Sequence, residues 1–291
     1  MAVINFIPTG DMRYASSRIR AFWPAEHMKD AYVSPPKGKN GTEAEIQLIE
    51  ADTYIWQKFL HFEFMAANPD AKHIWDLCDP LWWFSPEFSR MALQNCSEFI
   101  CSTPALADEF HNWSGLKAHV VPDRMNMEHF TSRRIHVPRE TVGFVWFGMG
   151  VNRMSLLGAW ANLARLVANG HKVSLTIIDD MPEVPLGFGD ELGVYNVQWK
   201  LDYEVALIAQ HDIALLPPYP GPWGALKSNN KRLTAWGCGL PAIDGFNYQE
   251  MLALVESHET RQSWANVSLN ALVTDYDVKE SAKELEEICN G

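Results

Sequence analysis

The sequence lacks any long hydrophobic run and has few cysteines. No stretch reaches the ~18 consecutive apolar residues that a membrane-spanning helix needs. The first ten residues, MAVINFIPTG, carry no basic segment, so we interpret them as a first strand rather than a signal peptide. The five cysteines include no Cys-x-x-Cys pair, which argues against a zinc site or a disulfide framework. We therefore expect buried thiols in a cytoplasmic protein, or in the host cytoplasm if the chain is viral.

Positive charge is also scarce. The chain has 24 Lys and Arg against 36 Asp and Glu, a formal net charge of −12. Such a surface repels bulk nucleic acid and anionic membranes, so composition argues against a non-specific DNA coat and against membrane insertion. It does not exclude a local basic cleft.

Short apolar runs and helical stretches alternate along the whole of the 291 residues. That length favours about two domains, and strand–helix alternation is typical of parallel sheets with helices on both faces. The Arg-rich stretch 123–140 interrupts the pattern, so we predict an α/β fold of two Rossmann-like domains facing across a cleft. The predicted domains are 1–130 and 131–291, with the last helix returning to the first domain. Ligands of such sheets bind at the carboxyl ends of the strands.

The first candidate site follows the first strand, where the tripeptide TGD at 9–11 leads into a helix predicted over 16–29. A glycine there lets a ligand approach the backbone, and a helix N-terminus favours anions. Arg13, Arg18 and Arg20 add positive charge. The alternative is an ordinary strand–helix loop with solvated arginines.

The second candidate site has the same placement in the second predicted domain, where a strand runs into Gly148-Met149-Gly150 and then Arg153. The segment is not a complete Gly-x-Gly-x-x-Gly, so a dinucleotide site is only weakly indicated. A phosphate-contacting loop fits the segment, and a tight turn is the alternative.

The third candidate site is residues 217–232, PPYPGPWGALKSNNKR. We predict a helix over 226–238 whose first turns carry Lys227, Ser228 and Lys231. Backbone amides, a hydroxyl and ammonium groups suit a diphosphate. A solvated basic helix face explains the segment less well, because the first turn of a helix prefers acids for its own stability.

Several segments, in order, resemble the GT-B glycosyltransferases of the large retaining family around glycogen and sucrose synthases, the family-4-like enzymes. PPYPGPWGALKSNNKRLTAWGCGLPAI is similar to the signature of the carboxyl-terminal domain, and SSRIRAFWPAEHM to a segment near the start. HIWDLCDPLWWFSP, FICSTPALADEF and VVPDRMNMEHF are similar to blocks of the amino-terminal domain and the entry to the second. HDIALLPP resembles the strand before the donor loop.

The resemblance implies a hexosyltransferase that moves a sugar from a nucleotide-diphosphate sugar, with UDP-glucose as a first guess, to an acceptor hydroxyl. It also implies retention of configuration, no required metal or other cofactor, a donor bound mostly by the second domain and an acceptor bound mostly by the first. Catalysis then depends mainly on groups that stabilise the negative charge on the departing diphosphate. The candidates for that catalytic role are Arg153, Lys227 and Lys231. The other donor-binding candidates are Gly10, Gly148, Gly150, Trp199, Leu201, Trp223, Gly224, Ser228, Asn229 and Asn230.

The sequence departs from the family at two places. The family has two glutamates framing the donor helix, whereas this chain has Leu226 and Thr234 there. Ribose recognition must therefore differ, and a sugar-nucleotide-binding protein without turnover is the alternative function. The pair Asp179-Asp180 fits the end of a strand better than a Mg²⁺ site, so no metal ligand is predicted.

The acceptor is open between a glycan or small molecule and a hydroxymethylated DNA base, such as 5-hydroxymethylcytosine in viral DNA. Basic residues of an exposed loop together with Trp side chains suit a polyanion with rings, and enzymes that modify a base take it out of the stack. Carbohydrates also stack on Trp, and the lysines of the loop could simply keep it soluble. The acceptor candidates are Asp11, Arg13, Arg18, Lys37, Lys39, Asp79, Trp82 and Trp83.

Overall fold

The structure, a computed structural model, describes residues 2–36, 48–183 and 192–291. The chain divides into two compact units. Unit 1 is Met1–Asn126, Ala225–Ser228 and Asp277–Gly291, and unit 2 is Met127–Gly224 and Asn229–Tyr276. Residues 225–228 and 277–291 thus belong to the predicted second domain in sequence but group with unit 1.

Unit 1 is built on a parallel sheet in the order β2-β1-β3-β4-β5-β6. The four inner strands, β1, β3, β4 and β5, are short and mostly buried, as a sheet covered on both faces requires. The strands are β1 Ile4–Ile7, β2 Ala31–Val33, β3 Thr53–Gln57, β4 Lys72–Leu77, β5 Glu98–Cys101 and β6 His119–Val120.

Helices follow the strands of unit 1. Helix α5 is capped at both ends. The Thr103 side chain accepts a hydrogen bond from the Leu106 backbone amide at its start, and Gly115, in the left-handed backbone conformation, ends it. The helices are α1 Ala15–Ser17, α2 Trp23–Glu26, α3 Phe62–Ala67, α4 Pro86–Asn95 and α5 Pro104–Ser114, with α12 Val278–Asn290 at the end of the chain.

Alternate side chains of the unit 1 strands enter two separate cores. On β3, Trp56 points to the core formed with α4 and α5, while Ile55 points to the core that contains Leu285 of α12. Both faces of the sheet are therefore covered. Leu226, from the predicted donor segment, is part of the α4–α5 core.

Unit 2 has a second parallel sheet, in the order β11-β10-β7-β8-β9. Its central strand β7 is buried along its whole length and packs with α6 and α10 in one core. The strands are β7 Val142–Phe147, β8 Val173–Asp179, β9 Gly193–Gln198, β10 Ile213–Leu215 and β11 Ala242–Ile243. The helices are α6 Trp160–Ala168, α7 Glu204–Ile208, α8 Pro222–Leu226, α9 Asn230–Gly237, α10 Tyr248–Glu256 and α11 His258–Asp275.

The helix predicted over 226–238 is wrong in its first turn. Helix α8 ends at Leu226 and α9 begins at Asn230, so Lys227 and Ser228 lie between two helices. The physical reason is competition from contacts distant in sequence, because the Leu226 carbonyl accepts from the Thr103 hydroxyl at 3.0 Å and the Leu226 side chain is buried in the unit 1 core.

The helix predicted over 16–29 is shorter and less regular than expected. A π-helical stretch, Arg18–Phe22, separates α1 from α2, and helical structure ends at Glu26. Arg18 and Arg20 of this stretch are buried. Among the described residues, no helix is both long enough and apolar enough to cross a membrane.

Candidate functional site

A lysine and a glycine meet at the carboxyl end of β7. Gly148 has φ of +155°, and a Cβ there would lie 2.8 Å from Lys231 Cε. The Lys231 ammonium lies 5.5 Å from the centre of the Trp146 ring, which is favourable for a cation. Thus the structure places two donor-binding candidates of the sequence, 83 positions apart in the numbering (231 − 148), against each other in unit 2.

The loop after β7 leads into a 3₁₀ helix, Gly150–Gly158, whose start is held by acidic side chains. The Arg153 guanidinium, which is 6% exposed, donates to both oxygens of Asp179 and to the Met181 carbonyl. This hydrogen bond to Asp179 raises the pKa of Arg153. The Gly150 amide donates to Asp180 at 2.6 Å. Arg153 therefore anchors the loop through an acid at the end of β8.

The donor-binding candidates Trp199 and Leu201 lie next to a buried acid. Glu204, only 6% exposed, accepts from the Trp199 indole at 3.0 Å and lies 3.3 Å from His129 Nε2. Leu201 begins the 3₁₀ turn Leu201–Tyr203. Glu204 thus fixes the orientation of the Trp199 ring.

The proline-rich segment carries the remaining donor candidates. The Trp223 ring meets Tyr219 edge to face at 5.1 Å. A Cβ at Gly224 would lie 1.8 Å from the Tyr219 carbonyl oxygen, so only glycine fits this turn. Asn229 is the residue before α9, and Asn230 is its first residue.

Lys227 groups with unit 1, where it lies beside residues that follow two of the unit 1 strands. It forms an ion pair with Asp79, whose other oxygen is 2.6 Å from Lys58 Nζ. Asp79 follows the end of β4, and Lys58 follows the end of β3, in agreement with the expectation that polar groups collect at the carboxyl ends of parallel strands. Lys58 has φ of +66°, an uncommon backbone conformation for a residue with a side chain.

The two lysines set the charge state of the carboxylate. Burial alone would raise the pKa of Asp79, but the attraction of Lys58 and Lys227 outweighs it and lowers that pKa. Burial likewise opposes the charge on Lys58, while nearby Cys78 and Asp79 raise its pKa. Asp79 and Lys58 are thus both ionised at neutral pH.

A second ionic cluster lies beside the first. The Ser228 hydroxyl donates to Asp123 at 2.5 Å, and Arg20 bridges Asp123, at 2.8 Å, and Asp76, at 2.9 Å. Arg20, Asp76 and Asp123 are all buried. The two clusters and the buried Leu226 explain why residues 225–228 group with unit 1.

The predicted acceptor residues near the start of the chain have different environments. Asp11 and Arg13 form an exposed pair at 2.6 Å, and the hydrogen bond from Arg13 lowers the pKa of Asp11. The Gly10 amide donates to Ser17. Arg18 is 2% exposed and donates to the Met12 carbonyl at 3.0 Å, so it stabilises the loop from inside and is not placed to contact a phosphate at the surface.

The tandem tryptophans also differ from each other. Trp82 is buried and stacks on Trp113, with ring centres 5.3 Å apart. Trp83 is 40% exposed, and its indole donates to Glu109 at 3.1 Å. Only Trp83 of the pair is therefore accessible to an acceptor ring. Lys37 and Lys39 lie outside the described residues.

Sequence reasoning missed Lys58, Asp123 and Glu204 as parts of these clusters. Asp123 and Lys58 follow strands, which is a signal that a systematic search of strand ends would have used. Glu204 opens a helix and reads as an ordinary first-turn acid. Only its burial against Trp199 distinguishes it.

No group of three or more His, Cys, Asp or Glu within the described ranges could hold a metal ion. The chain contains one Asp-x-Asp triplet at 275–277. Its Asp277 carboxylate accepts from Lys279 N and so caps α12.

Known proteins resemble this chain in structure but not detectably in sequence. No protein-family model matches the sequence, and no curated protein matches it. Many solved structures do match.

Three of the similar structures show the range. An alpha-glucosyltransferase in complex with UDP and a 13-mer DNA has a TM-score of 0.67 at 8% identity, over 99% of this chain and 98% of that one. A trehalose-6-phosphate synthase has a TM-score of 0.57 at 12% identity, over 82% of this chain and 73% of that one. A putative UDP-N-acetylglucosamine 2-epimerase from Listeria monocytogenes has a TM-score of 0.57 at 9% identity, over 98% and 95%.

These likenesses and the two parallel sheets confirm the GT-B fold class predicted from the sequence. At such low identity they show the fold alone, and one fold hosts several activities.

Proposed function

We propose that the protein is a glycosyltransferase that moves a sugar from a nucleotide-diphosphate sugar, with UDP-glucose as the first candidate, to an acceptor hydroxyl. The observation that carries the proposal is the contact between Lys231 and Gly148 at the end of β7, beside the Gly150 loop. A glycine loop with a cation laid across it, at the carboxyl end of a parallel sheet, suits a diphosphate. The likeness to an alpha-glucosyltransferase in complex with UDP and to a trehalose-6-phosphate synthase supports the same conclusion.

The chemistry asked of these residues is electrostatic. When the sugar–phosphate bond breaks, the leaving diphosphate gains negative charge, which preorganised cations stabilise. Lys231 and Lys227 are the proposed cations in contact with phosphate. Arg153 is proposed as a positioning residue, because its guanidinium is already bound to Asp179 and Met181 and holds the Gly150 loop.

We further propose that the reaction proceeds with retention and needs no metal. Both features come from the resembled family, whose donor phosphates are met by basic side chains. The trehalose-6-phosphate synthase in the comparison was studied for glycosyl transfer with retention. In the proposed step, the acceptor hydroxyl attacks the sugar on the face from which the diphosphate departs. The proton of that hydroxyl passes to the departing diphosphate.

For the acceptor, we propose a hydroxymethylated base in DNA. The support is the likeness, over nearly the full length of both chains, to a glucosyltransferase bound to DNA. The exposed Trp83 and Arg13 offer a ring and a cation in unit 1. A glycan or small molecule is the second candidate, supported by the likeness to the trehalose-6-phosphate synthase.

The donor is tested by a thermal-shift screen of nucleotide sugars, followed by measurement of nucleoside diphosphate release. Slow release without acceptor is expected of a transferase. A sugar-nucleotide-binding protein would be stabilised by the ligand but release nothing. Conversion of the bound sugar to its epimer would instead favour an epimerase.

The acceptor is tested by mass analysis of hydroxymethylcytosine DNA after incubation with the donor. If DNA is the acceptor, the transfer rate at sub-saturating DNA should fall as the salt concentration rises. A plot of the logarithm of the rate against the logarithm of the salt concentration should have a slope of roughly −0.9 per neutralised phosphate. Lys37→Ala with Lys39→Ala should flatten this dependence, whereas the exposed pair Lys29→Ala with Lys117→Ala should not. No transfer to any hydroxymethylated DNA would leave the glycan or small molecule as the acceptor.

A further inference from the structure

Four candidate phosphate-binding groups share one feature, which is a carboxylate partner. A carboxylate oxygen offers an N–H or O–H donor the same kind of charged acceptor as a phosphate oxygen, so a bound diphosphate and these acids compete. The pairs are Lys227 with Asp79, Ser228 with Asp123, Arg153 with Asp179 and the Gly150 amide with Asp180.

The pair of Lys227 and Asp79 differs from the others in how easily it can open. If Lys227 leaves, Asp79 keeps Lys58 at 2.6 Å, so no buried charge is left without a counter-ion. Separation of Arg153 from Asp179 would instead leave a fully buried carboxylate without its cation, which is costly. The Lys227 side chain is also 39% exposed, so water and ligands reach it.

We propose that Asp79 is a positioning residue that competes with the nucleoside diphosphate for Lys227. Asp79 yields Lys227 when the donor binds and takes it back after transfer, which weakens the hold on the nucleoside diphosphate product and speeds its release. Lys58 makes the exchange possible because it neutralises Asp79 while Lys227 is away. This inference rests on the proposed function.

The expected size follows from the exposure of the pair. The Asp79 side chain is mostly buried but Lys227 is 39% exposed, and such a partly exposed ion pair contributes less than a charge-assisted hydrogen bond to phosphate. Removal of the competing carboxylate should therefore tighten the binding of UDP about three- to tenfold. A residue that only supported the fold would weaken binding when it is replaced.

The test is the dissociation constant of UDP for the full chain, measured by calorimetry. Asp79→Asn should tighten binding, and Asp79→Glu, which keeps the charge, should restore the wild-type value. The control Glu98→Gln removes an acid from an exposed pair with His119, also in unit 1, and should leave the value unchanged. Unchanged or weaker binding in a folded Asp79→Asn protein would overturn the inference.

A variant that should weaken UDP binding keeps the test valid if Asp79→Asn fails to fold. Lys58→Met leaves Lys227 as the main cation for Asp79 and should weaken UDP binding more than Lys29→Met, an exposed charge control. Equal effects of the two lysine variants would contradict the exchange.

A double variant separates competition for Lys227 from a general change in charge. In the Lys227→Ala background, Asp79→Asn should no longer tighten UDP binding, because the shared cation is gone. Persistent tightening would overturn the role of Lys227. If the wild-type protein binds no nucleoside diphosphate, the proposed function itself fails; if it binds UDP but Asp79→Asn does not tighten binding, only this inference fails.

Discussion

The two units hold their candidate phosphate-binding cations in different ways. In unit 2, Arg153 is buried against Asp179, and Lys231 lies over the Trp146 ring. In unit 1, the half-exposed Lys227 shares the Asp79 carboxylate with Lys58. A cation paired with a buried acid is fixed in place and can hold a segment of backbone. A cation whose carboxylate has a second lysine can leave that carboxylate for another anion.

The largest expected effect concerns the stability of unit 1. Arg20→Met should leave the buried carboxylates of Asp76 and Asp123 without their cation and cost about 3–5 kcal/mol of unfolding free energy. The measurement is denaturant unfolding followed by Trp fluorescence. Arg13→Met, which breaks an exposed pair in the same unit, should cost far less, because water already screens that pair. Similar losses in both variants would mean that the buried cluster does not hold unit 1 together.

The next effect concerns the cation of unit 2. Lys231→Ala should lose a charge-assisted contact of ~1.5–3 kcal/mol, or roughly tenfold to a hundredfold in the affinity for UDP. Lys172→Ala removes an exposed lysine of the same unit, paired with Glu140, and serves as the control. Wild-type affinity in the Lys231 variant would remove this lysine from the donor site.

A smaller effect comes from the glycine beneath that lysine. Gly148→Ala puts a methyl group within 2.8 Å of Lys231 Cε and strains the backbone at φ of +155°. Gly170→Ala has φ of +84° but no atom within 4 Å of the new Cβ, so it isolates the backbone strain of about 1 kcal/mol. We expect weaker UDP binding only in the Gly148 variant. Equal UDP affinity in the two variants would show that the position of Lys231 does not matter.

The smallest effect separates the units by pH. Burial lowers the pKa of His73 in unit 1 and of His136 and His211 in unit 2. Because the folded-state pKa lies below the unfolded value, the unfolded chain binds more protons as pH falls through the unfolded pKa, and stability falls with it. Unit 2, with two such histidines, should lose more protection than unit 1.

The pH prediction is checked by hydrogen exchange of peptides from each unit at about pH 7.5 and about pH 5.5, after correction for the intrinsic exchange rates. The control is His73→Gln, which removes the buried histidine of unit 1 and should reduce the pH response of that unit. An equal loss of protection in the two units would contradict the prediction.

Much of the fold could be predicted because the strands are local and apolar. The apolar run in the first ten residues and the run before Gly148 predict strands, and the structure has the buried strands Ile4–Ile7 and Val142–Phe147 there. The course of the donor segment could not be predicted. A helix through Leu226 has good local propensity, but the contacts that end it come from Thr103 and from the core of unit 1.

The candidate site shows the same limit. Gly148 and Lys231 were named separately as donor-binding residues, and the structure places them in contact. Whether those residues bind the donor stays a prediction. Arg18 and Trp82 are acceptor candidates by sequence, but both side chains are buried in the structure. The type of a charged or aromatic residue does not by itself predict whether its side chain is exposed.

The alternation of strands and helices, and with it the two parallel sheets, follows from the amino-acid sequence, because the spacing of its own apolar residues specifies each element. The order of residues also puts glycines and cations after strand ends. Which acid each cation meets depends on the three-dimensional fold. Asp79 reaches Lys227 across 148 positions, and Asp179 reaches Arg153 across 26. Such pairs depend on strand order and on long-range packing, which local propensity does not encode.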